Sequence, residues 1–212
     1  MNRRQFMAAS LATTVLAGLG ETATLCETAQ AREGKAMHIL VLTGSPRKHG
    51  NSATLASAFI RGAKEAGHTV ARFDAALKNV HPCTACNSCG MDGPCVFQDD
   101  FAFVREEIGK ADLVAFATPM YYFGFSSQLK AVIDRFYAIN GSIHVAKKAV
   151  LMVTYADNAA KKERPILTHY EMLLDYLGWQ DAGRIIAPGV WPTGAIQSTA
   201  YPQKAYELGK HL

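Results

Sequence analysis

The chain has no run of about twenty apolar residues, so no stable membrane span is expected. It has no block of lysine and arginine either. Its 22 basic and 18 acidic residues leave a net charge of +4, too mild to favour a nucleic-acid partner. The seven histidines are scattered and never form H-x-x-x-H or H-E-x-x-H, which removes the usual helical zinc sites. The G-x-x-x-x-G-K-[ST] loop and the G-x-G-x-x-G fingerprint are also missing, so neither a P-loop nor a dinucleotide-binding turn is present. What remains is 212 residues with 49% hydrophobic and 19% charged, enough for one domain with a real core plus appendages.

The first appendage is at the start. Arg3 and Arg4 precede an uncharged stretch, Gln5 to Gly20, and a small-residue site follows at Ala29-Gln30-Ala31. A basic head, a short weakly apolar middle and an A-x-A site read as an export signal over residues 1–31. The paired arginines followed by Gln5-Phe6-Met7 resemble the twin-arginine type, which carries folded proteins. This predicts a periplasmic or otherwise exported protein, and a cytoplasmic one if 1–31 is not a signal. A membrane anchor is the competing reading. Removing 1–31 loses two arginines and two glutamates (Glu21, Glu27), so the charge is unchanged.

From Met37 onward, short apolar runs alternate with helical patterns. HILVLT (38–43), LVAFAT (113–118) and AVLMVT (149–154) read as strands buried on both faces. HTVARFD (68–74) and AGRIIAPGV (182–190) are further candidates. Helical stripes occur over 52–66, 126–137 and 163–177, with a last helix from Tyr201 to the end. Alternating strands and helices predict an α/β fold, a doubly wound sandwich with a five-stranded parallel sheet and helices on both faces.

Ligands of such sheets sit outside the carboxyl ends of the strands, where strand order reverses. GSPRKHGNS (44–52) leaves the first strand at such a point. Gly44 allows a tight turn. Ser45, Asn51, Ser52 and Thr54 offer hydroxyl and amide groups, and Arg47, Lys48 and His49 offer charge. The helix starting near Ser52 points free N–H groups and its positive dipole end the same way. This is a phosphate cradle, against the plainer reading of an N-capped helix after a polar turn. After the third strand, Pro119, Met120, Tyr121, Tyr122 and Phe123 crowd large side chains onto a loop end. They suit either a hydrophobic turn or a stacking platform for a flat ring. Together the two loops suggest a mononucleotide with a planar ring system.

Four of the five cysteines lie in one irregular stretch, 81–99. Cys83, Cys86, Cys89 and Cys95 form C-x2-C-x2-C-x5-C. Compact runs of this kind ligate iron–sulfur clusters. Disulfides, free thiols and a zinc site remain open beside that reading. Asp99 and Asp100 are expected to cap and charge the next helix, and His81 to be a solvated loop residue.

GSPRKHGNS, PCTACNSCGMDGPCVFQDD and ADLVAFATPMYYFGFSSQLKAVIDRF resemble, in order and spacing, the flavodoxin-like NADPH-dependent FMN reductase family, and most closely its iron–sulfur flavoprotein branch. The resemblance covers about residues 37 to 155 and implies a flavodoxin-like FMN-binding domain over 37–212. It implies FMN, with the phosphate on Ser45, Arg47, Asn51, Ser52 and Thr54 and the ring against Pro119, Met120, Tyr121, Tyr122 and Phe123. A third contact loop would be Thr154, Tyr155 and Asp157, although TYADNAAKKERP lacks the glycines the family often has there. It also implies a [4Fe–4S] cluster on the four cysteines near the flavin, and folded export is compatible with loading both groups beforehand. The function implied is an FMN-dependent oxidoreductase, with small-molecule or protein electron donor and acceptor, and a homo-oligomer (dimer or tetramer). A non-enzymatic electron carrier and a thiol redox sensor stand as alternatives. NAD(P)H as donor conflicts with export, because an exported protein meets little of it.

Overall fold

The computed structural model describes residues 35–159 and 161–212. The expected signal over 1–31, with Cys26, lies outside them. The run HILVLT forms β1 (His38–Thr43), whose residues from Ile39 on are all buried. β2 (Thr69–Asp74), β3 (Leu113–Pro119), β4 (Lys148–Thr154) and β5 (Gln180–Ala187) join it in one parallel sheet of order β2-β1-β3-β4-β5.

Successive strand residues point to opposite faces, and both faces are apolar, so both need cover. Ile39, Val41, Ala115, Val150 and Met152 pack under α1 (Asn51–Glu65) and α6 (Tyr201–Lys210). Leu40, Leu42, Phe116, Leu151 and Val153 pack under α2 (Phe101–Lys110), α3 (Ser127–Asp134) and α5 (Arg164–Leu177). This is the doubly wound sandwich that the apolar runs predict, with the flavodoxin-like form that the family resemblance implies. α1 and α6 approach so closely that a Cβ at Gly62 would strike the carbonyl of Tyr206, and one at Gly209 that of Phe59.

Two elements differ from the sequence expectation. β5 runs from Gln180 to Ala187 rather than over 182–190. It starts earlier because Gln180 N–H donates to the Lys147 carbonyl, and it ends before Pro188, which has no N–H for a ladder. α3 stops at Asp134 instead of reaching 137, and a tighter 3-10 turn (Arg135–Ile139) leads into the short α4 (Asn140–Ile143). Arg135, where the geometry changes, is buried. Among the described residues, no helix is long and apolar enough to cross a membrane.

β1 lies between β2 and β3, and the chain leaves it first to β2 on one side and later to β3 on the other. That reversal opens a crevice at the carboxyl edge between the loops after β1 and β3.

Candidate functional site

The crevice is a cleft of about 310 Å³ built from four loops. The loop after β1 contributes Ser45, Arg47 and Gly50, and α1 contributes Asn51 and Ser52. The loop after β3 contributes Pro119, Met120 and Tyr121, and the loop after β4 contributes Thr154, Tyr155 and Ala156. Val190, Trp191, Pro192 and Thr193, after β5, complete the wall.

Local contacts hold these loops in register. Gly44 N–H donates to Ala117 O at 2.8 Å, and Ser126 Oγ donates to Gly44 O at 2.8 Å. A Cβ at Gly44 would collide with Ser126 and lie 2.8 Å from Leu129 Cβ, so only glycine lets the β1 loop seat on the start of α3. Ser45 Oγ accepts from Arg47 N–H at 3.1 Å, and Gly50 N–H donates to Arg47 O at 3.0 Å, which curls residues 45–50 tightly before α1. The first N–H groups of a helix have no partners within it. Here they open beside Ser45, Ser52 and the exposed Arg47, and Arg47 is the charged side chain on the cleft wall. Hydroxyls, free N–H groups, a helix N-terminus and one guanidinium suit a phosphate monoester. Met120 N–H donates to Thr154 O at 2.9 Å, tying the β3 and β4 loops together.

Asn51 lies at the cleft but is engaged elsewhere. Its Nδ2 donates to Val190 O at 2.8 Å and Pro192 O at 2.9 Å. Its Oδ1 accepts from Gly194 N–H at 3.0 Å and Ile196 N–H at 3.3 Å. A primary amide has two donors and two acceptor sites, so all four are committed to the loop after β5. Tyr155 O adds a fifth tie by accepting Val190 N–H at 3.0 Å.

Several expected residues lie outside the cleft. Thr54 donates back to Gly50 O at 3.2 Å within α1 and lines a separate surface cleft with Lys48, His49 and Arg61. Tyr122 is fully exposed and Phe123 half-exposed, at the head of a tight turn closed by paired hydrogen bonds between Tyr121 and Gly124. Both take left-handed φ, 44° and 67°, which costs a residue with a Cβ about 1–2 kcal/mol. Asp157 does not line the cleft; its carboxylate accepts from Ala159 N–H at 2.7 Å. Tyr155, by contrast, is buried on the wall. Burial, then its hydrogen bond to Glu163, pushes its phenol up to about 12, so it stays protonated. The loop Val190–Thr193 is the part of the wall that sequence reading missed.

The four cysteines also come together. Cys83, Cys86, Cys89 and Cys95 line one narrow cavity with Phe97, Arg135 and Tyr137, and all four are free thiols. As they stand, no group of three or more His, Cys, Asp or Glu among the described residues is set to hold a metal ion. The cavity, about 20 Å³, has room for one water-sized atom. A four-iron cube does not fit the cavity as it stands, so holding one would require the cysteine loop to open. Four thiols are a donor set that either an iron–sulfur cluster or a zinc ion can use. Arg135, which also lines this cavity, is buried and has no partner for its Nε among the described residues. This cavity and the cleft share no lining residue.

The loop is held by an ion pair rather than by helix capping alone. Arg135 Nη1 and Nη2 donate to the two carboxylate oxygens of Asp99, at 2.9 and 3.3 Å, and both side chains are about 2% exposed. Asp99 also accepts from the N–H groups of His81 and Phe101, and Arg135 donates to His81 O at 2.9 Å. The guanidinium lies over Phe101, and His81, an exposed loop residue as expected, stacks on Phe97 at 4.9 Å. Burial pushes the Asp99 carboxyl up. The hydrogen bonds from Arg135, His81 and Phe101 more than reverse this, leaving it below the usual carboxylate range. Asp100 instead accepts from Asn79 N–H at 2.8 Å.

With this geometry in view, comparison with known proteins gives consistent matches. A family model described as NADPH-dependent FMN reductase matches residues 37–183. An iron–sulfur flavoprotein of Archaeoglobus fulgidus is 35% identical over 99 residues, covering 47% of this chain and 45% of that protein. A Bacillus subtilis protein named putative NAD(P)H-dependent FMN-containing oxidoreductase is 30% identical over 104 residues, 45% of this chain and 57% of its own. The chain thus spans about half the length of these curated relatives. Among solved structures, an NAD(P)H:quinone oxidoreductase from Methanothermobacter marburgensis superposes with a TM-score of 0.69 at 20% identity, over 82% of this chain and 95% of that one. At that identity the likeness concerns the fold.

The Asp99–Arg135 pair makes a direct prediction. Asp99→Asn leaves a buried guanidinium without its counter-charge and should cost about 3–5 kcal/mol in urea unfolding at pH 7. Asp99→Asn with Arg135→Met should recover most of that. A carboxylate with a lowered folded pKa stabilises above its unfolded pKa, near 3.9, and that contribution is lost as pH falls through the folded value. The gap between the wild type and Asp99→Asn should therefore close in acid. Equal stabilities at pH 7 would contradict the anchoring role.

Proposed function

Because this chain belongs to the NADPH-dependent FMN reductase family, we propose that it is an FMN-dependent oxidoreductase whose cofactor occupies the cleft at the carboxyl edge. One observation carries this reading: a phosphate cradle and an aromatic loop end line the same cleft. Ser45, Ser52, Arg47 and the first N–H groups of α1 hold the phosphate. Pro119, Met120 and Tyr121 border the ring, and Thr154 and the neutral Tyr155 form the wall after β4. Asn51 acts by holding the neighbouring loop. No role is assigned to Thr54, Tyr122 or Phe123 in this chain's own binding. When bound, FMN supplies the acceptance and donation of hydride or single electrons, and the chain binds, orients and excludes water.

The same proposal includes a [4Fe–4S] cluster on Cys83, Cys86, Cys89 and Cys95. Four thiols lining one cavity support it. The electron donor and acceptor are small molecules or proteins. NAD(P)H is the donor in a cytoplasmic setting, and a reduced quinone (quinol) or a protein is the donor in an exported one. Exposed Tyr122 and Phe123, outside the cleft, support self-association into a homo-oligomer. Arg3, Arg4 and the Ala29-Gln30-Ala31 site support export through residues 1–31.

Two measurements test these assignments. Ser45→Ala with Arg47→Ala should weaken FMN binding about a hundredfold, while Thr54→Ala leaves it within about twofold. Full retention in the double variant would sink the cradle. Anaerobic purification of the full chain should give about four iron per chain, and any single Cys→Ser among the four should lose most of the iron but keep FMN. Stoichiometric zinc, or two disulfides without iron, would overturn the cluster. For export, Arg3→Lys with Arg4→Lys should hold an untrimmed precursor in the cytoplasm; normal trimming and export of that variant would end the twin-arginine reading.

A further inference from the structure

We propose that Trp191 packs against the flavin ring and that Asn51 is the positioning residue that holds it there. This inference rests on the FMN reading above and goes beyond it, since the loop after β5 carries no role in that reading's cradle or ring platform.

Trp191 is 77% exposed, yet it lines the cleft. Of the other exposed aromatic side chains, Tyr121 also lines the cleft, whereas Tyr122 does not and Tyr176 lies on α5. A bare indole gains nothing from exposure, and a planar ligand would cover a large apolar area on it.

The backbone around the indole is unusually well fixed for a surface loop. The carbonyls of Val190 and Pro192, on either side of Trp191, are the two acceptors of the Asn51 amide. The Val190 N–H is held by Tyr155 O, and the Asn51 carbonyl oxygen holds the N–H groups of Gly194 and Ile196. The segment begins and ends on glycines in the left-handed region, Gly189 at φ 72° and Gly194 at φ 85°. A Cβ at Gly189 would also collide with Asn158 of the β4 loop. Two turns and five hydrogen bonds thus fix the backbone that carries an indole left 77% exposed among the described residues. The ordering cost of the loop is met before any ligand arrives, which favours binding.

The position suits the ring. Tyr121 follows β3 and Trp191 follows β5, with Thr154 and Tyr155 after the intervening β4 between them. Arg47 Nη1 reaches Thr193 Oγ1 at 3.4 Å, so the cradle and the tryptophan loop meet at the phosphate end. A mononucleotide seated in the cradle then has an aromatic side chain available from each flank.

The test is hydroxyl-radical footprinting of the full chain, read by mass spectrometry, with FMN removed and then restored. FMN retention is measured separately by flavin absorbance. FMN should lower oxidation of Trp191 at least about fivefold and leave exposed Tyr176 unchanged, and inorganic phosphate alone should leave Trp191 reactive. Trp191→Ala should weaken FMN binding about tenfold, and Trp191→Phe only slightly. In FMN-saturated Asn51→Ala, Trp191 should regain reactivity. One FMN retained per chain with Trp191 as reactive as in the stripped protein would overturn the inference and leave the FMN reading standing. Protection by phosphate alone would overturn ring contact. Unchanged protection in Asn51→Ala would overturn the positioning role. Failure of the wild-type chain to bind FMN at all would overturn both readings.

Discussion

The amide of Asn51 can make four hydrogen bonds, and it makes all four to one loop. That single commitment joins the start of α1 to the loop after β5, 139 residues further along the chain. Gly44 and Ser126 make the matching joint between the β1 and β3 loops, and Met120 and Thr154 join the β3 loop to the β4 loop. The cleft is therefore a closed frame of mutually bonded backbone segments. Loops usually carry function at the expense of order. Here the backbone that would face a ligand is fixed by its neighbours, while Arg47 and Trp191 remain exposed.

The cysteine segment is a second frame, built independently. Its anchor is the buried pair of Asp99 and Arg135, supported by His81 and two phenylalanines. Further along it, Arg105 donates to Gly93 O at 2.6 Å and Asp92 accepts from Ser142, which seats the loop against α2 and α4. Ala85, Asn87 and Met91 take left-handed φ, so the chain folds back between the cysteines. This costs conformational energy but brings four thiols to one cavity. Separate frames mean that damage to one need not empty the other.

The sheet was legible because each strand announces itself locally. HILVLT and AVLMVT could scarcely be anything but buried strands, and the order of alternation implies the sandwich. Ser45, Arg47, Ser52, Pro119, Met120 and Tyr121 were legible for the same reason, since they sit one turn beyond those strands. Asn51 does line the cleft, but its commitment to the loop after β5 was not legible, because an amide beside a phosphate loop looks the same whether it faces a ligand or a neighbouring backbone. Thr54 was grouped with Ser52 by closeness in sequence, but its position in α1 turns its hydroxyl back to Gly50 O. The Trp191 loop was hidden because APGVWPTG reads as a strand running into a turn. Two glycines around a tryptophan after the last strand were its only local signal. Asp99 and Arg135 stand 36 residues apart, and nothing near either one names the other.

The central claim is that the cleft recognises a flavin mononucleotide through its phosphate. Isothermal titration of the flavin-stripped full chain, with FMN and riboflavin compared under one condition, tests it most directly. The cradle predicts one FMN per chain and binding of riboflavin weaker by about a hundredfold or more, because charge-assisted hydrogen bonds to the phosphate are lost. Equal affinities, or no binding of FMN, would contradict it.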